Sequence, residues 1–157
     1  MPVISGGIIA AAGELICERV TFTQVANTGG TYTGSVTVPA NSWIIDIKVY
    51  CEVEWNSATS AILKVGDVGV TDGWYTGVRL QTTDLVAGEC LSFDSAGGVP
   101  GAYLVAATGL RNTMWSAAAR VITGVVTETT TTGLTAGRTH MLVIYTSTSN
   151  AGAAVFA

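Results

Sequence analysis

WIIDIKVYCEVEW, residues Trp43–Trp55, places polar side chains at most even positions. Every odd position is apolar, and the charged side chains all occupy even positions. The apolar positions are Trp43, Ile45, Ile47, Val49, Cys51, Val53 and Trp55. In a β-strand these side chains would share one face, whereas a helix would scatter them around its circumference. The pattern therefore predicts a long strand with one covered and one solvated face, which is typical of antiparallel sheets.

Other segments of strand character follow along the chain, separated by turn-forming residues at intervals of about ten residues. Many short strands with regular turns are typical of an all-β fold, so we predict an antiparallel β-sandwich, jelly-roll-like, with an extended N-terminal arm. The arm is residues 1–16, and residues 17–157 form a single sandwich domain. The predicted strands are Arg19–Gln24, Tyr32–Val38, Trp43–Trp55, Ala61–Val65, Tyr75–Leu80, Cys90–Asp94, Ala102–Ala106, Ala117–Thr127 and Thr139–Ser147.

Charged side chains are scarce, at 11% of the 157 residues against roughly 25% in an average soluble domain. Hydrophobic residues make up 48% of the chain, yet no run approaches the ~18–20 consecutive apolar residues of a membrane helix. We therefore expect no membrane partner. A chain with too little charge to cover its own surface is expected to bury that surface against other subunits, as an oligomer or within a larger assembly.

The net charge is −4, and the seven Lys and Arg residues are spread along the chain without a cluster. Phosphate binding depends mostly on concentrated Lys and Arg, so nucleic acid is not an expected partner. Three cysteines, Cys17, Cys51 and Cys90, are an odd number far apart, which excludes a complete disulfide framework. Buried free thiols and synthesis in a reducing cytoplasm are expected instead.

The N-terminal arm is apolar but too short and too rich in glycine for a stable helix. No Lys or Arg precedes its apolar residues, so we do not expect a secretion signal. One interpretation is an edge strand or a frayed terminus. The other is an assembly arm that pairs with a neighbouring subunit by strand addition. Its apolar contacts would be Val3, Ile4, Ile8 and Ile9.

The chain contains few residues with catalytic chemistry. His140 is the single histidine, no G-x-S-x-G nucleophile turn occurs, and no Cys and His residues have zinc-site spacing. We predict that the protein is not an enzyme, has no catalytic residues and needs no cofactor. Sequence alone leaves a Ser/His/Asp triad open, because the members of a triad converge only in space.

The segment KVGDVGVTDGWYTG places Asp67 and Asp72 beside glycines. Calcium loops supply several alternating oxygen ligands and usually end in a bidentate Glu, which this segment lacks. We therefore predict two successive turns rather than a metal site, with Trp74 and Tyr75 folded back onto the sheet. The alternative is that Trp74 and Tyr75 are exposed and stack on a sugar.

Around these turns the sequence resembles small virion proteins of tailed bacteriophages that decorate or cement the capsid. The resemblance covers roughly residues 30–95 and, more loosely, the closing strand TAGRTHMLVIYTS. Its elements are a VPA turn, the long alternating strand, a double turn of the form L-x-V-G-D-x-G-x-x-D-G, and an L-x-A-G strand entry. The matching residues are Val38–Ala40, Leu63–Asp67, Gly69, Asp72–Gly73 and Leu85–Gly88.

The resemblance implies a jelly-roll-like sandwich that binds the outside of a phage capsid and stabilises it. The implied partners are the major capsid protein and further copies of the chain, commonly as a trimer, on the surface of a virion assembled in the host cytoplasm. It carries over no enzymatic residue. Two alternatives stay open: a tail or baseplate component, and a host-surface carbohydrate-binding protein that uses Trp74 and Tyr75.

Overall fold

The structure is a computed structural model that describes residues 14–25, 29–57, 59–81, 84–95, 99–105, 111, 113–129 and 137–147. All the regular elements in these ranges are strands, which confirms the predicted all-β class. They are β1 (Glu14–Thr23), β2 (Gly30–Val38), β3 (Ser42–Val53), β4 (Ser60–Gly66), β5 (Tyr75–Arg79), β6 (Cys90–Leu91), β7 (Trp115–Ser116), β8 (Arg120–Thr129) and β9 (Arg138–Ser147).

The strands form two antiparallel sheets, as the sequence predicts. Sheet I has the order β1-β9-β3-β6, and β7 also pairs with β3. Sheet II has the order β2-β8-β4-β5. The long alternating segment is β3, and its neighbour β9 lies in the centre of sheet I.

The inner faces of the sheets pack together into one hydrophobic core. Sheet I contributes Ile47 and Val49 from β3 and Val143 from β9, and Leu63 and Ile122 lie opposite in sheet II, all at 0% exposure. Burial of each such side chain contributes on the order of 1.5–3 kcal/mol relative to exposure. Because alternate residues of a strand face opposite sides of the sheet, this core also determines which side chains face outward.

The first part of β3 departs from the prediction. Trp43 and Ile45 point outward, with 53% and 44% of their surfaces exposed, and Ile44 occupies the core position at 0%. The pairing of β3 with β9 shifts between Ile44 and Asp46. A bulge of this kind inserts one extra residue, so the alternation changes face at Ile45. The sequence carries one sign of the insertion, because Ile44 is an apolar residue at an even position, between Trp43 and Ile45.

Two predicted boundaries are also wrong. Residues 102–105 form turns rather than a strand. The reason is that Tyr103 N donates to Gly73 O at 2.8 Å and its ring covers Gly73, which fixes this segment across the double turn. The strand predicted to begin at Ala117 begins instead at Arg120, and Trp115–Ser116 forms the separate strand β7.

All three cysteines are free, as expected, but only Cys51 is buried. Cys17 and Cys90 are exposed, contrary to the expectation of buried thiols. Cys17 pairs with Ile144 on the outward-facing side of β1, which explains its exposure. The N-terminal boundary also lies earlier than predicted, because β1 begins at Glu14 and residues 14–16 belong to sheet I.

Candidate interaction surface

The outer faces of the two sheets differ in chemistry. The outer face of sheet II is dominated by hydroxyl side chains, because cross-strand partners share a face and the outward positions of β2 and β8 pair mostly Thr and Ser. Its hydroxyl residues are Thr31, Thr33, Ser35, Thr37, Thr123 and Thr127. Val121 and Val125 lie among them, so this part of the face is hydroxyl-rich with two valines.

The outer face of sheet I instead carries large apolar side chains at one end. Leu15 pairs with Thr146, Thr146 pairs with Trp43, and Trp43 pairs with Trp115, so the four residues form one row across β1, β9, β3 and β7. Leu15, Trp43 and Trp115 are 64%, 53% and 52% exposed. The row spans about 14 Å, given a strand spacing of about 4.8 Å. Trp43 and Trp115 are direct neighbours in this row, and large exposed apolar side chains grouped in this way mark an interaction site more often than a free surface.

A groove of about 370 Å³ opens beside this row. We call it the Trp43–Trp115 groove; it is lined by Trp43, Ile44, Ile45, Arg111, Thr113, Met114 and Trp115.

Backbone hydrogen bonds fix the wall that carries Trp115. Ile44 N donates to Met114 O at 2.8 Å, and Asn41 N donates to Ser116 O at 2.9 Å. From inside the protein, Arg120 Nη2 donates to Met114 O at 3.2 Å, and the Arg120 guanidinium lies 5.7 Å from the Trp74 ring. Both walls therefore belong to the folded sandwich, and the groove is formed before any partner arrives.

A polar relay crosses the middle of the same face. Glu52 Oε2 lies 2.7 Å from His140 Nε2, and Thr21 Oγ1 lies 2.9 Å from His140 Nδ1. Arg138 Nη1 donates to the other Glu52 oxygen at 2.8 Å. The hydrogen bond from His140, followed by that from Arg138, lowers the pKa of Glu52 below its usual value.

A Thr, a His and a Glu in line invite comparison with a hydrolase triad, but the surroundings argue against it. The hydroxyl would belong to Thr21 in the middle of a sheet, and β9 is bonded to β1 on one side and to β3 on the other. Backbone N–H groups that are paired within a sheet are not free to hold the oxyanion that forms in acyl transfer. We therefore interpret the relay as a bridge that ties β1, β9 and β3 together.

The two aspartates near the double turn bind different partners. Asp67 Oδ1 accepts hydrogen bonds from Gly69 N at 2.9 Å, Val70 N at 3.0 Å and Tyr103 OH at 3.0 Å. Asp72 pairs instead with Lys64 at 3.7 Å. Burial, together with the hydrogen bond to Asp67, raises the pKa of Tyr103 to about 12. These contacts match the predicted turns, and within the described ranges no three His, Cys, Asp or Glu residues converge as metal ligands would.

Trp74 and Tyr75 are core residues, with 0% and 1% of their surfaces exposed. Tyr75 OH donates to Ile47 O at 2.7 Å, and burial raises its pKa above the usual range. Trp74 stacks on Phe93 with ring centroids 5.5 Å apart. Neither ring has a free face, so the prediction that they fold back onto the sheet is confirmed, and the alternative, that they are exposed to stack on a sugar, is wrong.

The four predicted assembly contacts, Val3, Ile4, Ile8 and Ile9, lie outside the described residues. The Trp43–Trp115 groove was not predicted, since the alternation placed Trp43 on the covered face and no sequence signal pairs it with Trp115.

A second unpredicted feature is a buried polar network at the opposite end of β3. Glu128, 4% exposed, accepts hydrogen bonds from Gln24 and Ser57, and from Tyr32 OH at 3.0 Å. Gln24 Oε1 in turn accepts from Gly137 N at 3.0 Å. The network joins residues from five separate segments and closes this end of the sandwich. In the sequence, Glu128 continues the inward alternation of β8 after Val126, and this was its only signal.

Among the described residues there is no helix with the length and apolar character needed to cross a bilayer.

The two sheets and their outer faces define a two-sheet antiparallel sandwich with one hydroxyl-rich and one partly apolar outer face. No family model matches the chain, and no curated protein matches it.

Solved structures with the same fold do exist. One chain of the "Acidic stable capsid structure of Helicobacter pylori bacteriophage KHP30" aligns with a TM-score of 0.55 and 13% identity, covering 88% of this chain and 91% of that one. One chain of the "Cyanophage Pam1 capsid asymmetric unit" aligns with a TM-score of 0.54 and 12% identity, covering 87% of each chain. At these sequence identities the similarity is one of fold, and it extends over nearly the whole length of both aligned chains.

Proposed function

We propose that this protein is a structural component of a bacteriophage capsid that binds the outside of the shell and stabilises it. It acts as a homotrimer, and its partner is the major capsid protein. Its place in the virion is the capsid surface. It performs no catalysis in this role and needs no cofactor.

The observation that carries the proposal is the full-length fold likeness to chains from two phage capsids. Because each alignment covers similar shares of both chains, those chains are of nearly the same length as this one. Those capsids therefore contain a chain that consists of a sandwich of about this size and little else. The sequence resemblance to decoration proteins points to the same class independently of the fold.

The contrast between the outer faces supports a role in an assembly. Sheet I presents Leu15, Trp43 and Trp115, which favour burial, whereas the Thr and Ser residues of sheet II favour water. With 11% charged residues, the chain has few charges to desolvate when it binds. A protein repeated over a symmetric lattice is therefore expected to direct sheet I to its neighbours and sheet II to solvent.

The proposal is tested by adding purified protein to shells that lack it, from a phage whose genome carries the gene, and then sedimenting the shells. Binding in near-stoichiometric amount to the shell subunits and a raised melting temperature of the shells are expected. A handful of copies per virion in place of hundreds would favour the tail or baseplate alternative. No binding to shells would refute the capsid proposal.

A further inference from the structure

We propose that the Trp43–Trp115 groove receives the apolar N-terminal segment, residues 1–13, of a second copy of the chain. The inference deepens the proposed function, since it rests on the protein acting as an oligomer. It names the acceptor site for the contacts Val3, Ile4, Ile8 and Ile9. The site is thus an interface between copies.

The first argument is position. β1 begins at Glu14, and the next residue, Leu15, is the first member of the exposed row that continues to Trp43 and Trp115. The N-terminal segment therefore leaves the sandwich at the same end of sheet I as the groove. Thirteen residues can span up to about 43 Å when extended, which is about three times the width of the row. The segment is long enough to reach the equivalent groove of an adjacent copy.

The second argument is chemical complementarity. Residues 1–13 contain no charged side chain, and their large side chains are aliphatic. The groove offers Trp43, Ile45 and Trp115 as exposed apolar surface. Its one cation, Arg111, already pairs with Asp94 and donates to Phe93 O at 3.3 Å. An uncharged segment can thus enter the groove without leaving an ion unpaired, and burial of Ile side chains against tryptophan rings favours association.

The third argument concerns which copy supplies the segment. β1 runs antiparallel to β9, and Glu14 pairs with Ser147, so the chain enters β1 from beyond the end of sheet I. A segment that continued the line of β1 before Glu14 would lead away from the row that contains Leu15. To cover the groove of its own sandwich, the segment would have to reverse within a few residues of Glu14. Insertion into a second copy requires no such reversal.

A disulfide trap distinguishes the possible occupants. In a full-length background with Cys17→Ser and Cys90→Ser, one tagged chain carries Ile8→Cys and a second, untagged chain carries Ile45→Cys. The two are mixed and oxidised with copper phenanthroline. We expect a disulfide-linked pair of tagged and untagged chains. The matched control replaces Ile45→Cys with Val121→Cys, a 38% exposed position on the outer face of sheet II, and we expect no more than a tenth of the linked product there.

A chain that carries both Ile8→Cys and Ile45→Cys tests the other occupant. If it links within itself at high dilution and the mixed chains do not link, the segment covers its own groove and the proposal is wrong. Equal linkage to Ile45→Cys and Val121→Cys would likewise overturn it, as would no linkage at all, which would leave the groove to a different protein.

Self-association without any cysteine change provides an independent readout. In sedimentation equilibrium of the full chain, Trp43→Ser with Trp115→Ser is expected to weaken association about tenfold or more, because buried tryptophans dominate interfaces. Val121→Ser, the matched change on sheet II, is expected to leave it unchanged, and equal effects would contradict the proposal. Capsid shells are absent from these experiments, so a failure here is distinct from a failure to bind shells.

Discussion

Trp43 and Trp115 lie opposite each other on β3 and β7, and each has about half of its surface exposed. An exposed tryptophan loses the free energy that burial of its large ring would provide, so two adjacent exposed tryptophans indicate a binding surface. The bulge at Ile45 causes the arrangement, since it turns Trp43 outward while Ile44 takes its place in the core. The groove is therefore a consequence of the strand geometry and not of a mobile side chain.

The first prediction separates the surface tryptophans from the core tryptophan. Trp74→Ala removes a ring that is 0% exposed and is expected to lower the free energy of unfolding by about 3–5 kcal/mol. Trp43→Ser removes a half-exposed ring and is expected to cost less than about 1 kcal/mol. Urea denaturation of dilute protein measures both values, and equal losses would mean that Trp43 belongs to the core.

The second prediction concerns the three thiols. Cys17 and Cys90 are exposed, whereas Cys51 is buried, and burial together with the nearby Glu54 raises the pKa of its thiol. Since the thiolate is the reactive form, two thiols per chain should react rapidly with a disulfide reagent at neutral pH. Reaction of the third is expected only on unfolding. Mass spectrometry of the labelled peptides checks the assignment, and rapid labelling of Cys51 would show that β3 is placed incorrectly.

The third prediction uses two glycines near the double turn. A Cβ on Gly101 would lie 2.2 Å from Asp72 O, a backbone atom that cannot rotate away. Gly101→Ala is therefore expected to destabilise the protein by about 1–3 kcal/mol. Gly77→Ala is the control, because its Cβ would meet only Ile62 Cγ2 at 3.4 Å. Thermal denaturation measures the melting temperature of each variant, and equal melting temperatures would contradict the packing of residues 99–105 over this turn.

The fourth prediction concerns pH. The hydrogen bond from His140 lowers the pKa of Glu52 in the folded protein. A carboxylate with a lowered pKa stabilises the fold above its unfolded pKa, and this contribution is lost as the pH falls through the folded value. Glu52→Gln should therefore reduce the acid-induced loss of stability between neutral pH and the folded pKa of Glu52. Denaturation over that range measures the effect, with Glu14→Gln as the exposed control, and an unchanged pH profile in Glu52→Gln would refute the coupling to His140.

The alternation of apolar and polar residues predicted the antiparallel all-β class correctly, because a period of two residues indicates a strand with one covered face. It located β3, β8 and β9 to within a few residues and placed Ile47, Val49 and Cys51 in the core. It failed where the register changes. The mark of the bulge at Ile45 is the run of apolar residues Trp43, Ile44 and Ile45, which fits either face, so the face of Trp43 was assigned incorrectly.

The candidate surface could not be predicted because it is assembled from distant segments. Leu15, Trp43 and Trp115 come together only through the pairings of β1, β9, β3 and β7. Trp74 and Tyr75 were predicted to fold back onto the sheet, and Tyr103 and Phe93 cover them as that prediction requires. The error at the surface therefore arises from pairings between residues that are far apart in the chain.

The capsid proposal is tested most directly by mixing purified protein with shells that lack it and measuring how much protein sediments, after light scattering has given its mass in solution. The account predicts an oligomer, about three times the 16.1 kDa chain mass for a trimer, that sediments with the shells in near-stoichiometric amount. A monomer that stays in the supernatant at every concentration would contradict it.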